Sequence, residues 1–186
     1  MSIDIPILET PRLRLRGHRI DDLDACAVMW ADPVVVRHTT GKPQTREEVW
    51  FRILRYVGHW ALLGYGFWAL EEKASSNLIG EVGFADFKRA LDPPLGDTPE
   101  IGWILAPSAH GKGYATEAVR AVIAWGDEHF GSVRTVCLIQ PENAASIRVA
   151  DKCGYREYAR TRYKENDVML LERGAALEIE VKSGVR

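Results

Sequence analysis

EIGWILAPSAHGKGYATEA, residues 100–118, reads as a strand that turns through Gly111 and Gly113 straight into a helix. Glu100 to Ala106 has the strand character, and Pro107 ends it. Over 112–130, Ala115, Ala118, Val119, Val122, Ile123, Gly126 and Phe130 fall on one side at helical spacing, so the helix has a buried face. A further apolar strand at 133–140 completes a strand-helix-strand crossover. Next comes a short helix from Asn143 to Cys153, with Gly154 as its C-terminal stop.

Outside this unit the pattern changes to hairpins. Leu13 and Leu15 alternate with Arg12, Arg14 and Arg16, which predicts a strand over 11–17. Asp21 or Asp22 is expected to open a helix carrying Ile20, Leu23, Ala27 and Trp30 on its apolar side, closed by Asp32-Pro33. Thr45 with Glu48 three residues on forms a capping box for a second helix running to about Gly64. FWALEEK (67–73) and NLIGEVGFADF (77–87) alternate about a polar turn, and two strands near 155–162 and 167–173 form another hairpin. The Pro/Gly/Asp-rich stretch LDPPLGDTP (91–99) is a loop. The order β-α-α-β-β-β-α-β-α-β-β predicts an α+β domain over 1–173 with a mostly antiparallel mixed sheet of about six or seven strands flanked by helices, followed by a tail at 174–186.

Composition narrows the function. With 186 residues the chain has room for one domain. Lys and Arg total 24 against 26 acids, a formal charge of -2, so no global field attracts nucleic acid or anionic lipid. No apolar run reaches the roughly 18 residues of a membrane span, and two acids precede the first base, unlike a leader peptide. A cytoplasmic protein is expected. Cys26, Cys137 and Cys153 fit neither a disulfide framework nor a zinc ribbon, and no metal is expected.

The turn at 110–116 carries the chemistry. Amides in the first turn of a helix lack internal partners, glycines let a ligand reach the main chain, and the helix dipole adds positive potential. Such a cradle suits a phosphate or diphosphate. A Walker loop is excluded by the missing first glycine and by the absence of Ser or Thr directly after Lys112, and a dinucleotide fingerprint by the missing third glycine. The bland alternative is a glycine-bearing helix start chosen for packing.

Together with QPENAASIRVADKCGY (140–155) and the opening ETPRLRLR (9–16), this segment resembles the GNAT superfamily of acetyl-CoA-dependent N-acetyltransferases, and within it the RimJ/RimL-like branch, over about residues 8–173. The resemblance implies a GNAT-like fold with a splayed pair of central strands. It implies that His110, Gly111, Lys112, Gly113, Tyr114, Ala115 and Thr116 wrap the CoA diphosphate, although the family has Arg or Gln where His110 stands. Ile104 and Leu105 would line the pantetheine arm, with a nearby amide facing the thioester oxygen. Asn143 would bond the pantetheine amides in addition to capping its helix. Ser146 would protonate the departing thiolate, since Ala150 and Asp151 occupy the stretch where many relatives carry a tyrosine. Lys152 and Arg148 would reach the phosphates of the adenosine end.

Amide formation requires a neutral amine, so a proton acceptor or a water path is needed. Glu100, which begins the strand beside the expected thioester, is one candidate. Glu81 is the other, its apolar neighbours predicting partial burial that would raise its pKa. For each acid the plain alternative is a solubilising charge at a strand edge. Trp30, His38, Trp50, Tyr56, His59, Trp60, Tyr65, Phe67 and Trp68 supply either core packing or the wall of an acceptor groove. The expected activity is direct acetyl transfer from acetyl-CoA to a primary amine, either a peptide N-terminus or a small molecule. The rival reading is a noncatalytic acyl-CoA sensor or scaffold on the same fold. The sequence leaves the oligomeric state open, a dimer included.

Overall fold

The computed structural model describes residues 4–131 and 133–174. The tail expected at 174–186 lies outside them except for Gly174. The strands are β1 (Leu8–Glu9), β2 (Leu13–Arg16), β3 (Phe67–Glu72), β4 (Asn77–Ala85), β5 (Glu100–Leu105), β6 (Thr135–Ile139), β7 (Arg156–Tyr163) and β8 (Asn166–Arg173). The helices are α1 (Leu23–Ala31), α2 (Pro33–Val36), α3 (Arg46–Leu63), α4 (Tyr114–Phe130) and α5 (Ala144–Lys152).

One eight-stranded sheet runs in the order β1-β2-β3-β4-β5-β6-β8-β7. Every neighbouring pair is antiparallel except β5 with β6. The strand beyond the expected six or seven is β1, two residues too short to show any alternation. Buried side chains of α4, such as Val119 and Val122, join Leu13, Leu15, Trp68, Leu70, Phe84 and Ile101 in the larger core cluster. A second cluster joins Cys26, Met29 and Trp30 of α1 to Val49 and Ile53 of α3, with Leu78 and Ile104 packed against it. The sheet is thus covered on both faces.

Local chemistry fixes the helix ends. Thr45 Oγ1 accepts from the Glu48 amide at 3.2 Å while the Thr45 amide donates to Glu48 Oε2 at 2.7 Å, which starts α3. Gly64, at φ 74°, ends it in the left-handed region.

The first helix departs from expectation. Ile20 does not join its apolar side and is 76% exposed. The cause is Asp22, whose two carboxylate oxygens each take a 2.8 Å bond from the Arg16 guanidinium and one of which also accepts from the Arg19 amide at 2.7 Å. Pulling Asp22 inward turns the preceding residues into a short 3-10 turn over 20–22, with Ile20 on the outside. The same pair explains why Arg16 is buried on a strand whose arginines were expected to face out. Asp32-Pro33 closes α1 as expected but also opens α2, with Asp32 Oδ1 accepting from the Val34 amide at 2.8 Å and Pro33 in the first helical position.

Candidate functional site

β5 and β6 share a single register pair, Glu100 with Val136, supported by a 3.1 Å bond from the Val136 amide to the Pro99 carbonyl. Past that root the two strands part. β5 stays paired with β4 from Glu100 to Leu105, and β6 stays paired with β8 from Thr135 to Ile139. Each strand is therefore satisfied on one side only, and the β5 edge that faces β6 offers main-chain groups to an extended ligand. The gap opens into a cleft of about 1450 Å³ whose wall includes Gly102, Ile104, Leu105, Gly113, Asn143 and Ser146. Ile104 is half-buried and Leu105 buried.

At the end of β5, a 3-10 turn over Pro107–Ala109 leads to Gly111 (φ 75°) and Gly113 (φ 80°), and α4 begins at Tyr114. The Glu117 amide is bonded to the Gly113 carbonyl at 3.1 Å. The amides of Tyr114, Ala115 and Thr116 precede it and have no carbonyl within the helix to serve. A diphosphate lying over this turn would find those donors and the positive end of α4. His110, expected to face phosphate, is used differently. Its Nε2 lies 2.9 Å from the Leu105 carbonyl, which can only accept, so that nitrogen carries the proton and ties the turn back to the strand. The Tyr114 hydroxyl donates to Glu72 Oε1 at 2.6 Å, which leaves the Tyr114 amide as the group free to meet a ligand at the turn. The Lys112 and Lys152 side chains are exposed. Lys152 lines the cleft, and its carbonyl takes a bond from Arg120 at 3.1 Å.

The opening segment braces this cradle, a role the sequence did not reveal. Thr10 Oγ1 and the Arg12 amide donate to Glu117 Oε1 at 2.7 and 3.0 Å, Arg12 Nε donates to Glu117 Oε2 at 2.7 Å, and Arg12 Nη1 donates to the Lys112 carbonyl at 2.9 Å. Burial pushes the Glu117 carboxyl up, and these donors more than offset it, holding it below the ordinary range. The only hint in the sequence was the presence of Thr10, Arg12 and Glu117, roughly a hundred residues apart.

α5 starts at Ala144, with Asn143 Oδ1 accepting from the Ser146 amide at 3.1 Å. That bond occupies the Ser146 main chain and leaves its hydroxyl for the cleft. Across the mouth, His38 Nδ1 meets Gln140 Oε1 at 3.1 Å, joining the segment after α2 to the end of β6.

The two acids part company. Glu100 sits on the cleft wall at the root of the parted strands, held by Arg89 through Nε–Oε2 and Nη2–Oε1 contacts of 2.6 and 2.8 Å. Arg89 itself lies against the rings of Phe87 and Tyr163, each centroid 4.6 Å from its guanidinium carbon. Glu81 is not brought to the cleft. It is wholly buried beneath Trp30 and Tyr56, which donate to its Oε2 at 3.0 Å each, while His18 Nε2 and Cys26 Sγ approach Oε1 at 3.3 and 3.5 Å. The expected partial burial with a raised pKa is corrected accordingly. Burial pushes the carboxyl up, but the His18 contact, the nearby Arg52 charge and the Trp30 donor outweigh it and hold it below the usual range. His18, Cys26 and Glu81 are close enough to share a cation. The carboxylate, however, is already used as an acceptor, and burial beside Glu81 pushes the Cys26 thiol far up, away from the thiolate form that binds metals.

The aromatic set divides. Trp30, His38, Tyr56, His59 and Phe67 line the cleft. Trp60 and Trp68 meet Trp125 in the core, and Tyr65 packs edge-on against Phe130. Arg52 and Arg55, which the sequence reading passed over, line the same half of the cleft as Tyr56.

This architecture has close counterparts. The Bacillus subtilis (strain 168) protein YkkB, described as uncharacterized, is 34% identical over 167 residues, covering 86% of this chain and 90% of its own. A Bordetella pertussis structure described as of the GnaT family of acetyltransferases superposes with a TM-score of 0.82 at 29% identity, covering 91% of this chain and 100% of that one. RimL, a ribosomal L7/L12 α-N-protein acetyltransferase solved with coenzyme A, shares the fold at a TM-score of 0.75 and 16% identity, with 91% and 98% of the two chains covered. The sequence model of the acetyltransferase (GNAT) domain matches residues 12–156, a span that contains the parted strands, the glycine turn and the whole of α5, and the chain therefore belongs to the GNAT family of acetyltransferases.

Proposed function

We propose that the protein binds acetyl-CoA in the cleft between β5 and β6 and transfers its acetyl group directly to a primary amine. The observation that carries this reading is the continuity of two features: a strand edge left unpaired beyond Glu100 leads into a helix start with unpartnered amides at Tyr114 to Thr116. The first suits an arm of alternating amides, the second the diphosphate to which that arm is attached. The coenzyme A held by RimL is consistent with it.

In this mechanism the amide edge of β5 near Ile104 and Leu105 donates to the thioester oxygen as it gains charge, a type of contact typically worth about 3 kcal/mol of barrier. The amine nitrogen attacks the acetyl carbon, the C–S bond breaks, and Ser146 Oγ gives its proton to the leaving sulfur. Glu100 takes the proton lost by the amine through an intervening water, because both its oxygens are already engaged by Arg89. Glu81 acts at one remove, fixing Trp30 and Tyr56 in the acceptor wall. Lys152 and Arg148 border the adenosine end. No metal takes part, and the reaction is placed in the cytoplasm. Among the described residues no helix is long and apolar enough to cross a membrane.

The test is release of free thiol from acetyl-CoA on addition of amines. Amine-dependent release supports transfer. CoA binding with no release from any amine class would leave the sensor reading in its place.

A further inference from the structure

The acceptor half of the cleft is rich in cations: three of them are answered, while Arg37 and Lys164, both exposed to solvent, form no ion pair among the described residues. Lys88 pairs with Asp86 and Asp97 at 2.6 and 3.0 Å, Arg89 with Glu100 at 2.6 Å, and Lys42 approaches Glu48 at 3.9 Å. Arg52 and Arg55, one turn apart on α3, differ: among the described residues neither forms an ion pair with a carboxylate, and both line the cleft. Arg52 lies 3.6 Å over the Trp30 ring, and its buried Nε has no hydrogen-bond partner. Arg55 sits 5.3 Å from the Phe87 ring centroid and 5.7 Å from that of Tyr56, and burial pulls its pKa down from the ordinary value.

The nearby acids are committed elsewhere. Glu48 caps α3 through the Thr45 amide, and Glu81 lies behind Tyr56 with its oxygens taken by Trp30, Tyr56, His18 and Cys26. One buried carboxylate thus stands against two guanidiniums. A guanidinium stacked flat on an aromatic ring keeps its N–H edge available, and that edge matches two carboxylate oxygens. Arg52 is half-buried, and holding its guanidinium there without a carboxylate is costly unless a ligand supplies one, while Arg55 reaches the same wall from the solvent side.

We propose that Arg52 and Arg55 bind a carboxylate on the acceptor, so that the amine acetylated by this protein belongs to a molecule that also carries a carboxylate. The inference rests on the acetyl-transfer reading of the same cleft and names its substrate class. The carboxylate has two sources, the α-carboxylate of a free amino acid or an acidic side chain near a peptide N-terminus. The recognition chemistry is the same for both.

The experiment is thiol release from acetyl-CoA with matched acceptor pairs: free amino acids against their carboxamides, and C-terminally amidated peptides with Asp or Asn at the second position. The wild-type protein should favour the carboxylate member of at least one series by about 30-fold in kcat/KM, the order expected for a charge-assisted pair. The series that shows it identifies the source. Arg52→Gln and Arg55→Gln should each shrink that ratio to a few-fold, and Arg55→Lys should restore part of it. Calorimetric titration with CoA checks that each variant keeps its cofactor site. Equal or better use of the neutral partners by the wild-type protein overturns the inference while leaving acetyl transfer standing. Thiol release from no acceptor overturns the transfer reading, and this inference with it.

Discussion

Gly113 offers the sharpest test of the cradle, because the structure separates two ways in which a side chain there would do harm. The residue sits at φ 80° and ψ 2° immediately before α4, a conformation L residues disfavour by about 1–2 kcal/mol. A Cβ added to it would meet only Arg12 Nη2 at 3.5 Å, an ordinary contact, so crowding from the fold contributes little. In Gly113→Val the turn should therefore relax from its left-handed geometry in the free protein and be forced back when CoA binds. The strain then appears in the binding equilibrium, and 1–2 kcal/mol corresponds to about 5- to 30-fold weaker CoA binding. Any obstruction of the phosphate by the branched side chain adds to that. Asn tolerates the left-handed region better than other side chains, so Gly113→Asn should lose less than Gly113→Ala, and Gly113→Val most. Isothermal titration with CoA, with thermal melts as a control for folding, reads the series. Equal CoA affinity in Gly113→Val and the wild type would refute both the strain argument and the placement of the diphosphate.

Ser146→Ala should lower kcat for thiol release by about 100-fold while leaving CoA affinity within about twofold, since general-acid contributions are of that order and the helix cap uses the Ser146 amide rather than its hydroxyl; an unchanged turnover would remove Ser146 from the acid role. Glu100→Gln should lower kcat/KM by about 100-fold with CoA affinity kept, and an unchanged kcat/KM would take the proton-accepting role away from Glu100. Glu81 makes a prediction about stability. Its folded pKa lies below the ordinary value near ~4.3, so its contribution is complete above that value and disappears as pH falls through the lower folded one. Urea melts should show stability dropping below about pH 4, and Glu81→Gln should cost about 1–3 kcal/mol at neutral pH, because its one amide oxygen can keep the Trp30 and Tyr56 bonds only by turning the NH2 toward His18 and Cys26 and by giving up the charge that strengthens them. Equal wild-type and Glu81→Gln stability at pH 7 would show that the network is not strained by losing its acceptor.

Periodicity made most of the sheet and its helices legible. α4 buries Ala118, Val119, Val122, Ile123 and Gly126, five of the seven residues on its expected stripe. A Cβ on Gly126 would approach the Phe84 ring to 2.7 Å, so the small residue in that stripe is there for contact with β4. What periodicity missed were elements decided by single polar partners. Asp22 turned inward to Arg16 and so moved Ile20 out, and β1 gains its place by pairing Leu8 with Leu15 and Glu9 with Arg14. An ion pair or a two-residue ladder leaves no repeating trace for a pattern to find.

The site divides along the same line. The glycine turn was readable because its character lies in the main chain, and Gly111 and Gly113 announce a left-handed main-chain conformation directly. The acceptor half was not, because its character lies in which charges are left over once the others have paired. Seen singly, Arg52, Arg55, Arg89 and Lys88 are four similar cations and Glu48, Glu81, Asp86 and Glu100 four similar acids. Folding assigns Asp86 to Lys88, Glu100 to Arg89 and Glu48 to a helix cap, and buries Glu81 under aromatic donors. The remainder is positive and sits on aromatic faces. Because a leftover charge is a property of the whole set of pairings, replacing one of the engaged acids should also alter acceptor choice: Glu100→Gln frees Arg89 beside Arg55 across Phe87, and should strengthen the preference for carboxylated acceptors even as it slows transfer. A slower enzyme with an unchanged ratio between matched acceptors would show that Arg89 does not join that anion site.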